Sequence, residues 1–228
     1  MASGYLQSGA NIDFSVSTVA VTLTGVTAGS GFYVVACWLN TTETLTSIVS
    51  DKDGAATLVN NPVTIGTAGR VAHGYILAGA VGGSTVFTAT KSAAAGTFEL
   101  HVFELSSVAT KTDNIGNTQV NPGTSADAVT STAITTSANG ILVGASFDVN
   151  NTTVPNIGTG FTIASTGSIG KGEYVLTAAG GSKAITFTET EAVSQQITTA
   201  MSFAPAGGVG GATVQAIPTM RVPNVLFT

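Results

Sequence analysis

The sequence predicts an all-β protein, and three observations carry that expectation. Apolar residues recur at every second position along much of the chain, which is the period of a pleated strand. Gly and Asn clusters punctuate these runs at intervals of about 8 to 15 residues, the rhythm of a sandwich or barrel. No window of a dozen residues holds the 3.6-residue period of a helix. Composition agrees, since Thr alone fills 37 of 228 positions, and β-branched residues suit a half-buried pleated surface.

Residues 1–14 show no alternation and are expected to form an N-terminal arm. Val19, Val21 and Leu23 then alternate with Ala20, Thr22 and Thr24, which gives one apolar face. Phe32 to Leu39 is the longest strongly apolar run and holds Cys37 and Trp38, both expected in the core. Asp51-Lys52-Asp53-Gly54 reads as a hairpin turn, with Asp capping backbone amides and Gly supplying a positive φ. A calcium loop would need acidic ligands soon afterwards, and the next Glu is at position 99. Val71, His73, Tyr75 and Leu77 share a strand face, and a Thr-rich strand follows within Gly82–Thr90. Phe98, Leu100 and Val102 alternate with Glu99, His101 and Phe103. The polar stretch Ser106–Asp127 contains Asn121-Pro122-Gly123 and is expected to cross the surface as a connector. Later strands are expected at Gly140–Phe147, Tyr174–Leu176, Lys183–Glu189 and Ile197–Phe203.

These strands repeat. Gly31-Phe-Tyr-Val-Val-Ala-Cys-Trp38 aligns with Gly140-Ile-Leu-Val-Gly-Ala-Ser-Phe147, and each is followed by an Asn/Thr-rich turn. Tyr75-Ile-Leu77 matches Tyr174-Val-Leu176, and the stretch from Gly82 matches that from Gly180. The second half is shorter, as if a loop around Asp51–Gly69 were lost. The resulting expectation is one two-sheet antiparallel β-sandwich, jelly-roll-like, over residues 15–205. Its pseudo-twofold halves would be 15–107 and 126–204, joined by the connector 106–127. Two tandem small sandwiches are the alternative.

Beyond Pro205, residues 206–212 read Ala-Gly-Gly-Val-Gly-Gly-Ala, a flexible linker by composition. The tail that follows carries Val214, Ile217, Met220, Val222, Val225, Leu226 and Phe227, interrupted by Pro218 and Pro223. Fixing about 23 residues costs on the order of 20–45 kcal/mol of backbone entropy. Burying seven apolar side chains contributes roughly 10–20 kcal/mol. The tail is therefore expected to order as an arm only on a neighbouring chain, with those seven residues as its contacts.

Composition removes several function classes. Charged residues make up 8% of the chain, with a net charge of −5. The seven basic residues are scattered singly, so no phosphate-binding patch forms and nucleic acid is not an expected partner. No apolar run approaches the ~20 residues that span a bilayer as a helix, and no polybasic segment marks a membrane surface. The first residues lack the basic and apolar regions of a secretory signal, so synthesis in a reducing cytoplasm is expected. The single Cys37 has no intrachain disulfide partner.

The motifs resemble a β-sandwich family scattered through bacteriophage virion and bacterial surface proteins. Gly31–Trp38, Asp51 to Gly54, Tyr75–Leu77, Gly82–Thr90 and Phe98–Glu104 carry the likeness, which covers about residues 15–205. The resemblance implies a module of virions and adhesive fibres, with no shared catalytic residues.

Chemistry-bearing residues are few. His73 and His101 are the only histidines, and each sits inside a strand, where a structural role is expected. A hydrolase triad would need one of them beside a Ser or Cys and an acid such as Glu104 or Asp148. No Gly-x-Ser-x-Gly elbow marks a nucleophile, and two histidines without Cys partners do not make a zinc site. Glu189-Thr190-Glu191 reads as a solvated loop. The expected protein has no cofactor, no metal and no catalytic residue. It is a phage virion subunit, such as a capsid decoration or cement protein, made in the host cytoplasm. Its partners are itself, for example as a trimer, and other virion proteins such as the major capsid protein. The alternatives are a tail-fibre module that binds host glycans and an extracellular filament or adhesin subunit.

Overall fold

The computed structural model describes residues 1–65, 69–77, 79–120, 128–149, 154–188 and 196–206. Among these, 68% are strand and none is helical, so the protein is all-β. The first strands are β1 (Gly4–Phe14), β2 (Thr18–Val26), β3 (Gly31–Trp38), β4 (Leu45–Ser50), β5 (Gly54–Ala55) and β6 (Thr57–Ile65). Next come β7 (Gly69–Ile76), β8 (Gly83–Lys91), β9 (Thr97–Ser106), β10 (Val108–Val120), β11 (Ala128–Thr130) and β12 (Ile134–Thr136). The chain continues through β13 (Gly140–Asp148), β14 (Thr162–Thr166), β15 (Gly170–Thr177), β16 (Gly181–Lys183), β17 (Thr186–Thr188) and β18 (Gln196–Pro205).

The described strands form five antiparallel sheets where two were expected. Their orders are β1-β9-β3-β7-β6, β2-β8-β4-β5, β10-β18-β13-β15-β14, β11-β17 and β12-β16. The reason lies in β3 and β13, which are buried at every position. A strand at the surface of a two-layer body buries alternate side chains, so continuous burial requires a layer on each side. Tyr33, Val35 and Cys37 of β3 pack with Ile141, Val143 and Phe147 of β13, which brings the two five-stranded sheets face to face. Phe32, Val34, Ala36 and Trp38 point the other way, onto Val19, Val21, Leu23 and Phe87 of the four-stranded sheet. Leu142 and Ala200 likewise pack outward, against Ile134, Ile185 and Phe187. The four-stranded sheet lies on a single neighbour, and β2 shows the expected one-sided alternation of buried and exposed residues.

Three further sequence expectations change. The segment 1–14 is a strand for most of its length: Gly4 to Phe14 pairs with β9 at a sheet edge. Most of its side chains are only partly buried, so the period-2 signal is weak. The connector 106–127 begins as β10, an edge strand paired with β18, and residues 121–127 lie outside the described residues. Ser107 at the junction adopts φ +53° and turns β9 into β10. Finally, Trp38 and Phe147, aligned by sequence, face opposite ways, Trp38 outward and Phe147 into the central layer. A one-residue slip exchanges the two faces of a strand, and runs apolar on both faces do not show the slip.

Candidate functional site

The arm residues Val214, Ile217, Met220, Val222, Val225, Leu226 and Phe227 lie outside the described residues, as do Glu189-Thr190-Glu191. The chemistry that can be placed lies inside the body. Among the described residues six charged side chains are buried: Glu43, Lys91, Glu99, Glu104, Asp148 and Glu173. Burying a charge costs several kcal/mol per ion unless partners meet it, so each marks a built environment.

The most chemically suggestive group lies between the two five-stranded sheets. Glu99 and His101, two residues apart on β9, share its central face, and Nε2 of His101 meets Glu99 Oε1 at 2.6 Å. Nδ1 meets Ser165 Oγ at 2.6 Å. Ser165 reaches inward from a bulge in the β14–β15 pairing. The hairpin between those strands, closed by Gly167 N–H on Gly170 C=O at 2.8 Å, presents two amides to the same carboxylate. Ser168 N and Ile169 N both donate to Glu99 Oε2 at 3.0 Å. Glycine is required in this hairpin, because a Cβ on Gly167 would lie 2.1 Å from Glu99 Oε1.

This acid–histidine–serine chain has the partners of a nucleophilic triad but not its setting. Glu99 and His101 are fully buried, and Ser165 is 6% exposed. A Cβ on Gly172 would fall 2.4 Å from the Phe103 ring and 2.5 Å from Ser165 Oγ. A triad needs space about 3 Å from both the nucleophile and free oxyanion donors; here that space is filled, and the nearby amides already bind Glu99. The group joins β9 of one sheet to β14 and its hairpin in the other. Tyr33 makes a second such link, its hydroxyl lying 3.0 Å from both His73 Nδ1 and Thr199 Oγ1. Burial raises the Tyr33 phenol above its ordinary range. It also pushes the Cys37 thiol up, with the charges of Glu99 and Asp148 adding, so this thiol is a packing group.

The other carboxylates hold turns and loops. Glu104 accepts from Gln7 Nε2 at 2.6 Å, Thr27 N at 2.7 Å and Ser30 Oγ at 2.9 Å. Glu43 pairs with Lys91 at 2.6 Å, and Lys91 also donates to Ala95 C=O. Glu173 accepts from Gly158 N at 2.8 Å, and burial pushes its carboxyl up to about 7 despite its bonds to the Gly158 and Thr186 backbone. Asp51 and Asp53 accept from Val86 N and Val81 N, both at 2.9 Å, and Gly54 has φ +86°. That loop is the hairpin turn expected from sequence.

Comparison with family models and with curated proteins finds no match. The site residues therefore speak through their geometry alone. His73 and His101 are buried strand residues, as expected, and Trp38 and Phe147 are core. The acid beside His101 is Glu99, rather than Glu104 or Asp148. The available signal was local: two polar residues at i, i+2 inside a run whose other members are all apolar must share a buried face. Ser165 has no such signal, since only the packing of the sheets brings it to His101. No cluster of three or more His, Cys, Asp or Glu placed to hold a metal occurs among the described residues. Phe14 is the one exposed aromatic among them.

Proposed function

We propose that this protein is a non-enzymatic structural subunit of a bacteriophage particle, a decoration or cement protein that acts through a stiff body and an apolar C-terminal arm. The observation that carries this reading is where the charge lies. Among the described residues six charged side chains, from a chain with only nineteen, are buried, and Glu43, Lys91, Glu99, Glu104 and Glu173 bond to other parts of the body. The exterior is correspondingly poor in charge and rich in Thr, Ser, Asn and Gly, a surface that repels copies of itself weakly and suits close packing among neighbours. In this reading each five-stranded sheet with its outer partner is one β-sandwich of a pseudo-repeated pair, β1 to β9 and β10 to β18. The two inner sheets are then cross-braced by Tyr33 and by the Glu99–His101–Ser165 chain.

The arm is the assembly element of this reading, with Val214, Ile217, Met220, Val222, Val225, Leu226 and Phe227 burying area on a neighbouring copy or on a capsid protein. Light scattering on the full chain beside a 1–205 truncation tests it. An oligomer that becomes a folded monomer on truncation supports the reading. Full particle decoration by the truncated chain refutes it.

A further inference from the structure

We propose that Lys91 and Asn40 form a self-catalysed amide cross-link, with Glu43 as the general base, because one Glu43 carboxylate bridges the lysine amine and the asparagine carboxamide. This inference does not depend on the virion reading. Lys91 Nζ donates to Glu43 Oε2 at 2.6 Å, and Asn40 Nδ2 donates to Glu43 Oε1 at 3.4 Å. The lysine and glutamate side chains are 0% and 4% exposed, and the Phe98 ring centroid lies 5.4 Å from Nζ.

The remaining groups match what acyl transfer at Asn40 needs. The carboxamide oxygen Oδ1 accepts from Thr42 N and Thr42 Oγ1, both at 2.8 Å. These are two donors aimed at the oxygen that gains charge when the carbon is attacked. Arg70 Nη1 donates to the Glu43 carbonyl at 2.8 Å and steadies the base. Asn40 is half-buried in its loop, beside the buried Lys91–Glu43 pair.

The step balances without a co-reactant. Glu43 takes a proton from the Lys91 ammonium, and the freed amine attacks Cγ of Asn40, placing the carbonyl electron pair on Oδ1. Glu43 passes its proton to Nδ2, and Nζ gives up a second proton as the Cγ–Nδ2 bond breaks. The products are a secondary amide between the two side chains and ammonia, which leaves as ammonium. Lys91 ends β8 and Asn40 lies just beyond β3, so the bond would tie an outer-sheet strand to the loop leaving the inner sheet.

Intact-mass spectrometry of the denatured full chain, with peptide mapping, tests the proposal. The expected wild-type mass is the sequence mass less one ammonia, after allowance for N-terminal methionine, with one branched peptide containing Asn40 and Lys91. Glu43→Gln and Asn40→Ala should each show their own full sequence mass. Asn40→Ala leaves the Lys91–Glu43 pair intact, so its fold does not depend on losing that pair. A wild-type chain at full mass with both residues in separate linear peptides overturns the proposal. Ammonia loss confined to a linear Asn40 peptide, which marks a cyclic imide, also overturns it.

Discussion

Replacing Glu173 by Gln should remove a pH dependence that this one carboxyl builds into the fold. Glu173 lies on β15 with no exposed surface, and its Oε2 accepts the Gly158 amide at 2.8 Å. Burial raises its pKa from 4.5 to about 7, against the opposing effect of its bonds to backbone. The folded state therefore holds a proton that the unfolded chain releases between these two values. A raised folded-state pKa contributes stability that is complete below about pH 4.5 and is lost as pH rises through about 7. The difference between the two values corresponds to about 3 kcal/mol at most. Glutamine keeps an oxygen for the Gly158 amide and does not titrate. Urea unfolding, followed by the fluorescence of the single buried Trp38, should be measured at pH 5 and pH 8.5 for both proteins. The wild type should lose stability relative to Glu173→Gln across that range by up to this amount, whatever other groups contribute, because those are common to both. Parallel pH curves for the two proteins would refute the reasoning.

Three further substitutions test the packing by the same denaturation assay. Tyr33→Phe removes the hydroxyl that meets His73 and Thr199 and should cost about 1–3 kcal/mol, since a buried partner is left behind; a neutral outcome would mean the hydroxyl does not brace the two sheets. Gly172→Ala drives a Cβ to within 2.4 Å of the Phe103 ring and should cost about 1–3 kcal/mol or more, because a filled core yields little; an unchanged midpoint would show that the central layer is loosely packed. Ser107→Gly, at φ +53°, should be neutral or stabilising by up to about 1 kcal/mol, as glycine relieves left-handed strain at the cost of added unfolded-state entropy; a loss above that range would show that its side chain matters more than its backbone.

What could be read from the sequence depended on how many faces of a strand are covered. In β2 the alternation of Val19, Val21 and Leu23 with exposed residues was legible because one face meets solvent. In β3 and β13 the unbroken apolar runs announced burial, but they concealed both the extra layers and the one-residue phase shift between Trp38 and Phe147. The edge strand β1 was hidden for the opposite reason: its partly covered faces accept Gly, Ser, Asn and Gln almost anywhere. Polar clusters divided by sequence distance. Glu99 with His101, and Asn40 with Glu43, could be paired by local spacing. Ser165 and Lys91 complete those clusters only through sheet packing, which one sequence does not encode in any short window.

The placement of Met1 and Ala206 gives the described body a direction. Ser3 N donates to Asn139 C=O at 2.8 Å and Ala206 N to Ser107 C=O at 2.5 Å, while Met1 and Ala206 line one shared depression. Both ends of the described body thus emerge beside the junction that follows β9. At the other end of that strand, ten residues and about 30 Å away, the turn Ser92–Ala94 is exposed. A peptide spliced into that turn would stand at the far pole, pointing away from Met1 and Ala206. The same closeness of Met1 and Ala206 suits a circular permutant of the body 1–206, with a short linker joining those two residues and new ends opened at Ser92–Ala94.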